Sequence, residues 1–146
     1  MIKSDVKIGN NCKIYEPVNL YGCEIGDDSM VGPFVEIQSN VTIGQSVKIQ
    51  SHTFICSNVK IGNNVFVGHG VMFVNDKFIF NEPAHGDNSL WLNTYIGNNV
   101  SIGSNATILP INICDGTVIG AGAVVTKDIN VKGVYVGNPA KLLKKI

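Results

Sequence analysis

The chain of 146 residues carries 11 basic against 11 acidic side chains, and charged residues make up only 15% of it. That length suits one domain, and the balanced charge leaves no basic footprint for nucleic acid and no charged tail. Its apolar runs are far too short to cross a membrane. The opening MIKSDVKIG lacks the apolar core of a signal peptide, so a cytoplasmic location is expected.

From Ile8 the chain keeps a six-residue rhythm: Ile8, Ile14 and Leu20, then Ile25, Val31, Ile37, Ile43, Ile49, Ile55, Ile61, Val67 and Phe73. Glycine follows many of these positions, as at Gly9, Gly26, Gly44 and Gly62, and a small or branched residue sits four later, as at Val47 and Val65. The aliphatic residue and the one four after it share strand parity and face the same way. An amphipathic helix needs spacings of three and four, which this pattern does not keep. Fixed-period self-similarity marks a solenoid, whose repeats bury their apolar faces only by stacking. Three six-residue units close one coil of about 18 residues, giving roughly seven or eight coils of an all-β parallel β-helix. The steps Leu20 to Ile25 and Ile108 to Ile113 are one residue short, which suggests tightened corners rather than lost coils. Cys12, Cys23, Cys56 and Cys114 are widely spaced with no C-x-x-C pair. They read as reduced, mostly buried small residues, and no metal site is expected.

The rhythm breaks after Phe73. Residues 75–94 are rich in Asn, Asp, Pro, Gly and His, with Phe78, Phe80 and Trp91 among them. A long irregular segment inside a regular solenoid is expected to be a functional loop, and its aromatics favour an ordered one packed on something. The period resumes at Ile96, Ile102 and Ile108, then Ile113, Ile119 and Val125. At the end, Asn138-Pro139 reads as an N-cap with proline in the first helical turn, and AKLLKKI as a short helix. The expected division is a β-helix domain over 1–137, with the insertion 75–94, and a helical cap over 138–146. Flat apolar faces and open coil ends favour a homo-oligomer.

Among the three histidines, His52 and His69 lie 17 apart, close to one coil. They are therefore expected on the same side of adjacent coils, near a corner where a side chain faces outward. Histidine has the unperturbed pKa of a base or charge-stabilising donor. Glu36, 16 residues before His52, is expected on the same face of the coil below.

The hexad pattern resembles the left-handed β-helix of hexapeptide-repeat acyltransferases, and the left hand is implied by that resemblance. IGSNATILP, VIGAGAVVTKDI and VGNPAKLL resemble the C-terminal half of the acetyltransferases of this family. The resemblance implies acetyl-CoA as co-substrate, its pantetheine arm lying along the outside of the coils. Matching the motifs assigns it Ser104, Ala121, Thr126 and Lys127, with Lys141 and Lys144 near the nucleotide phosphates. Relatives often carry arginine at the last two positions, and lysine supplies the charge without the bidentate fork.

GPFVEIQSNVTIG and IQSHTFICSNVKIGNNVFVGHGVMFVNDKF resemble the subgroup that acetylates the 3-amino group of nucleotide-linked amino sugars. Its dTDP- or UDP-linked sugars feed O-antigen (lipopolysaccharide), capsule or S-layer glycans. After NDKF relatives commonly continue Pro-Arg, whereas this chain reads IFNEPAHGD. The resemblance implies catalytic roles for His52, Asn75 and Asp76, the last two meeting the acceptor near its reacting nitrogen. Glu36, His69, Lys77 and His85 become acceptor-side candidates. It further implies a homotrimer with active sites between subunits.

The chemistry expected is direct attack of the sugar amine on the thioester in a ternary complex, since no Cys or Ser sits in a recognisable nucleophile setting. His52, or Asp76 through water, would accept the proton, and a backbone N–H at a corner would steady the oxyanion. Three alternatives stand beside it. An O-acetyltransferase acting on a sugar hydroxyl (galactoside type) would need a stronger base. A zinc hydrolyase of the γ-carbonic anhydrase type would need three histidine ligands. A purely structural β-helix would bind no coenzyme A.

Overall fold

The computed structural model describes residues 1–146, and the chain winds as a left-handed parallel β-helix of about seven turns. Face one stacks Lys7–Ile8, Cys23–Ile25, Val41–Ile43, Val59–Ile61, Thr94–Ile96 and Asn112–Ile113. Face two stacks Lys13–Ile14, Met30–Val31, Lys48–Ile49, Phe66–Val67, Ser101–Ile102 and Val118–Ile119, and ends on Gly133–Val136 and Lys141–Lys145. Face three stacks Asn19–Leu20, Glu36–Ile37, Phe54–Ile55, Met72–Phe73, Thr107–Ile108 and Val124–Val125.

Register explains why the period was visible. On face one Ile8 pairs with Ile25, Ile25 with Ile43, Ile61 with Ile43 and Ile96, and Ile96 with Ile113. Like side chains thus form a column inside the prism. A β-branched residue packs well on a pleated surface, and each buried isoleucine contributes about 1.5–3 kcal/mol. Thirty residues form a single core cluster. The short step after Leu20 is absorbed at the corner between faces three and one, where Gly22 adopts φ 57; Cys23 still pairs with Val41. The second short step leaves Tyr95 paired with Asn112.

The insertion is real and slightly narrower than expected. The Val74 N–H still donates to Ile108 O (2.9 Å) and Thr94 already belongs to a strand, so the loop is 75–93. It holds one 3-10 turn, Asn88–Leu90, capped by the Asp87 carboxylate.

The expected C-terminal helix is absent. Gly137 adopts φ 96 in a turn over 137–140, and Lys141–Lys145 returns as a strand antiparallel to Gly133–Val136. A helix of so few residues is marginal in water, whereas the open edge of Gly133–Val136 offers unpaired backbone groups that a returning strand satisfies. No helix of the chain is long and apolar enough to cross a membrane.

Candidate active site

The three corners of the prism use their polar side chains differently. Between faces one and two, side chains are spent on the backbone of neighbouring coils. Asp27 Oδ1 accepts from the Asn10 N–H (2.7 Å), Asn63 Oδ1 from Gln45 (2.9 Å), Asn98 Oδ1 from Asn63 (2.8 Å) and Asp115 Oδ1 from Asn98 (2.8 Å). Such a corner is closed by its own side chains.

The corner between faces two and three is different. Pro33, Ser51, His69, Ser104 and Ala121 follow one another up this edge, with Phe34, His52, Gly70, Asn105 and Gly122 beside them. Phe34 and His52 are the only bulky side chains that the coils hold at positive φ (61 and 63), where Asn, Asp, Ser and Gly stand elsewhere. A left-handed conformation costs an L-residue roughly 1–2 kcal/mol. The two rings stack with centroids 4.8 Å apart and planes at 28°, and both side chains are exposed.

Further up the same edge, Ser104 Oγ accepts from the His69 N–H (3.2 Å) and lies 3.5 Å from His69 Nδ1. Gly122 N–H donates to Ser104 O (2.9 Å), so the shortened step between Ile108 and Ile113 leaves Ser104 and Ala121 in register. A Cβ at Gly103 would run into the Ala121 backbone, which is why only glycine lets these coils approach so closely. The N–H groups of Ser104 and Ala121 find no acceptor within the chain, and Gly122 faces open space. The result is a shallow lane of small residues with free donors.

The remaining candidates lie elsewhere. Asn75 and Asp76 stand at the corner between faces three and one. Asn75 Nδ2 donates to Ser57 O (3.1 Å) and Asn75 O accepts from Leu92 (2.9 Å), which ties both ends of the loop to the coil. Asp76 Oδ1 accepts from Phe78 N–H (2.9 Å) and Oδ2 from Ala84 N–H (2.7 Å). This carboxylate therefore organises the loop, and keeps lone pairs for a further donor. Strand Phe54–Ile55 separates this corner from His52, on the order of 15 Å of extended chain. Within one chain the expected catalytic set is split into two groups.

Thr126 and Lys127 share the Asn75 corner, at the far end of Val124–Val125 from Ala121. Lys141 pairs opposite Val136, near the lane, and Lys144 opposite Val134 on the exposed terminal strand. Lys77 and His85 are exposed in the loop.

Glu36 lies on the outer side of face three, one coil below His52. Its Oε2 accepts from Asn19 Nδ2 (3.1 Å), and its Oε1 from Gln38 Nε2 (3.1 Å) and the Tyr21 hydroxyl (3.4 Å). Partial burial and the Glu36 carboxylate push the Tyr21 hydroxyl above its ordinary pKa, so it remains a donor to Glu36. Phe34 was not among the expected site residues, although its signal was present: the position three after each repeating aliphatic residue is otherwise held almost throughout by Asn, Asp, Ser or Gly. No group of three or more His, Cys, Asp or Glu is placed to hold a metal ion.

A family model described as the GMPPB C-terminal domain matches residues 37–146. The chain belongs to that family. Among solved structures it is similar to a variant of AntD, an N-acyltransferase from Bacillus cereus in complex with dTDP and coenzyme A. That match has a TM-score of 0.82 and 22% identity over 95% of this chain and 83% of the other. It is also similar to a variant of perosamine N-acetyltransferase from Caulobacter crescentus in complex with CoA and GDP-perosamine. There the TM-score is 0.69, with 19% identity over 95% of this chain and 58% of the other. These likenesses show the fold, the same parallel β-helix in all three. By sequence, a chloramphenicol acetyltransferase of Agrobacterium fabrum is 53% identical over 53 residues, 36% of this chain and 25% of the relative. The matched segment is thus about a quarter of that relative's length.

Proposed function

We propose that this chain is an acetyl-CoA-dependent N-acetyltransferase acting on the amino group, at C3, of a nucleotide-linked amino deoxysugar. The observation that carries the reading is the edge between faces two and three. Two outward histidines and a lane of Ser104 and Ala121 with free N–H donors share it, while the corner between faces one and two spends its polar side chains on its own backbone. The motifs IGSNATILP and VIGAGAVVTKDI favour coenzyme A as the occupant of that lane, and neighbours that bind CoA with dTDP or GDP-perosamine support a nucleotide-sugar acceptor.

In this reading the donor arm runs up the lane, its amide carbonyls taking the N–H groups of Ser104 and Ala121. Lys141, beside the lane, and Lys144 on the same strand serve the nucleotide phosphates. The acyl carbon comes to rest beside His52. The amine nitrogen attacks that carbon and a tetrahedral oxyanion forms. The carbon–sulfur bond then breaks, and coenzyme A leaves as the thiol with the proton the amine has lost. His52 accepts and relays that proton, a step worth about 100- to 10,000-fold in rate. Asn75 and Asp76 orient the amine from a second subunit, since one chain keeps them a face away from His52. The assembly is a homotrimer with its sites between subunits, and His69, Lys77 and His85 line the approach.

Release of coenzyme A thiol from acetyl-CoA, measured against dTDP- and UDP-linked amino sugars and simple galactosides, tests this directly. Turnover on a 3-amino sugar is expected, with His52→Asn lowering kcat at least about 100-fold. Turnover on galactosides alone would replace the amine by a hydroxyl acceptor. Failure to bind coenzyme A would overturn the transferase reading.

A further inference from the structure

Phe34 does two things that a corner residue of a β-helix has no structural need to do. It holds a bulky ring at φ 61, and it leaves that side chain 58% exposed. One face of the ring meets His52. Beneath it lies a cleft of about 330 Å³ lined by Pro17, Val18, Asn19, Phe34, Val35 and Glu36. The Phe34 N–H donates to Pro17 O (2.6 Å), which ties its backbone to the coil below. At the far rim the Glu36 carboxylate is held in place by Asn19, Gln38 and Tyr21. These three donors leave the carboxylate spare acceptor capacity, and Glu36 lines the cleft.

An aromatic ring, an apolar wall and a pre-oriented carboxylate make up the chemistry that recognises a pyranose bearing a cationic or hydroxyl substituent. The C–H face of the sugar packs on the ring, and its ammonium or hydroxyl donates to the carboxylate. The position fits that role as well. Donor-side groups lie above His52, towards the C-terminal coils, while Phe34 and Glu36 lie below it. Phe34 and Glu36 precede residues 37–146, the stretch matched by the family model.

We infer that Phe34 and Glu36 form the acceptor subsite, in which the amino-sugar ring stacks on Phe34 and donates to Glu36, delivering its amine upward to His52. This rests on the amino-sugar transferase reading above. Phe34 is a positioning and specificity residue for that reaction, and a binding residue for the sugar whether or not transfer follows.

The test compares the wild type with Phe34→Asn, Phe34→Trp and Glu36→Gln. Asparagine is at ease at positive φ, as Asn40 and Asn105 are here. Phe34→Asn should therefore keep or raise the melting temperature while raising the acceptor KM about tenfold. The affinity for acetyl-CoA should stay within about twofold. Phe34→Trp should restore the acceptor KM, and Glu36→Gln should raise it. Ring-proton shifts of Phe34 during titration with a dTDP-linked 3-amino sugar give a readout independent of turnover.

A wild-type KM in Phe34→Asn, or equal losses of donor and acceptor affinity, overturns the subsite. If the wild type acetylates the sugar with no response at Phe34, the subsite fails and the transferase reading stands. If no sugar is acetylated but Phe34 still responds to it, the subsite stands and the transferase reading fails.

Discussion

His69 Nδ1 lies 3.5 Å from Ser104 Oγ although 35 positions separate them, whereas Asn11 and Asp28 make the same one-coil step in 17. One coil's worth of extra chain has been looped out without moving the coils it interrupts. The ladder continues across the gap, as Lys60 pairs with Tyr95 and Ile61 with Ile96.

Replacing residues 77–91 by a short polar link should therefore leave the β-helix intact. The far-ultraviolet circular dichroism spectrum and acetyl-CoA binding are expected to match the wild type, while acceptor turnover falls at least about 100-fold. Loss of the β spectrum would show instead that the loop supports the core.

Ser104→Ala removes the hydroxyl that accepts from the His69 N–H and frees another backbone donor on the lane. One net hydrogen bond corresponds to about 1 kcal/mol, so with that added donor acetyl-CoA affinity should tighten about fivefold in calorimetric titration. An unchanged affinity would take the lane out of donor binding.

Thr94 occupies a core position that Val59 holds in the coil beneath it, and its Oγ1 is buried with no hydrogen-bond partner. An orphaned buried hydroxyl costs about 1–3 kcal/mol. Thr94→Val keeps the shape and removes the orphan, and should raise stability by about 1 kcal/mol in denaturant unfolding. A loss of stability would indicate that the hydroxyl does find a partner.

Burial pushes the Cys56 thiol to about 12 and the Cys23 thiol to about 11, from an ordinary 9.0, with the nearby Asp5 charge adding to the second. Above about pH 9 the unfolded chain releases these protons while the folded chain retains them. Stability is therefore full below pH 9 and declines as pH rises towards 11 and 12. The slope is roughly 1.4 kcal/mol per pH unit for each thiol. Cys56→Val should flatten that decline in melting curves taken between pH 9 and 11. An identical slope in the variant would assign the alkaline loss to other groups.

The fold was legible because stacking makes local and global order the same thing. Ile25, Ile43 and Ile61 are six-residue markers in the sequence and neighbours in one column of the core. His52 and His69 could be placed on one edge by counting, because the coil length is nearly constant. The same count separates Asn75 and Asp76 from His52: Asp76 lies four six-residue units after it, one more than the three of a coil, and so falls on the next corner. What counting cannot give is the path of residues 77–93, which leave the period. The terminal segment was misread for a related reason. KLLKK alone carries a weak helical preference, and the open edge of Gly133–Val136 that overrides it comes from a different part of the chain.

The returning strand Lys141–Lys145 also bears on how these molecules meet one another. A parallel ladder has no intrinsic stopping point: each finished rung is a template for the next, from the same chain or a stranger. Here the last rung on face two runs backwards and carries Lys141, Lys144 and Lys145, all exposed. A foreign rung arriving there meets a row of like charges. The returning strand thus covers the face-two edge in a form that discourages a further rung on that face.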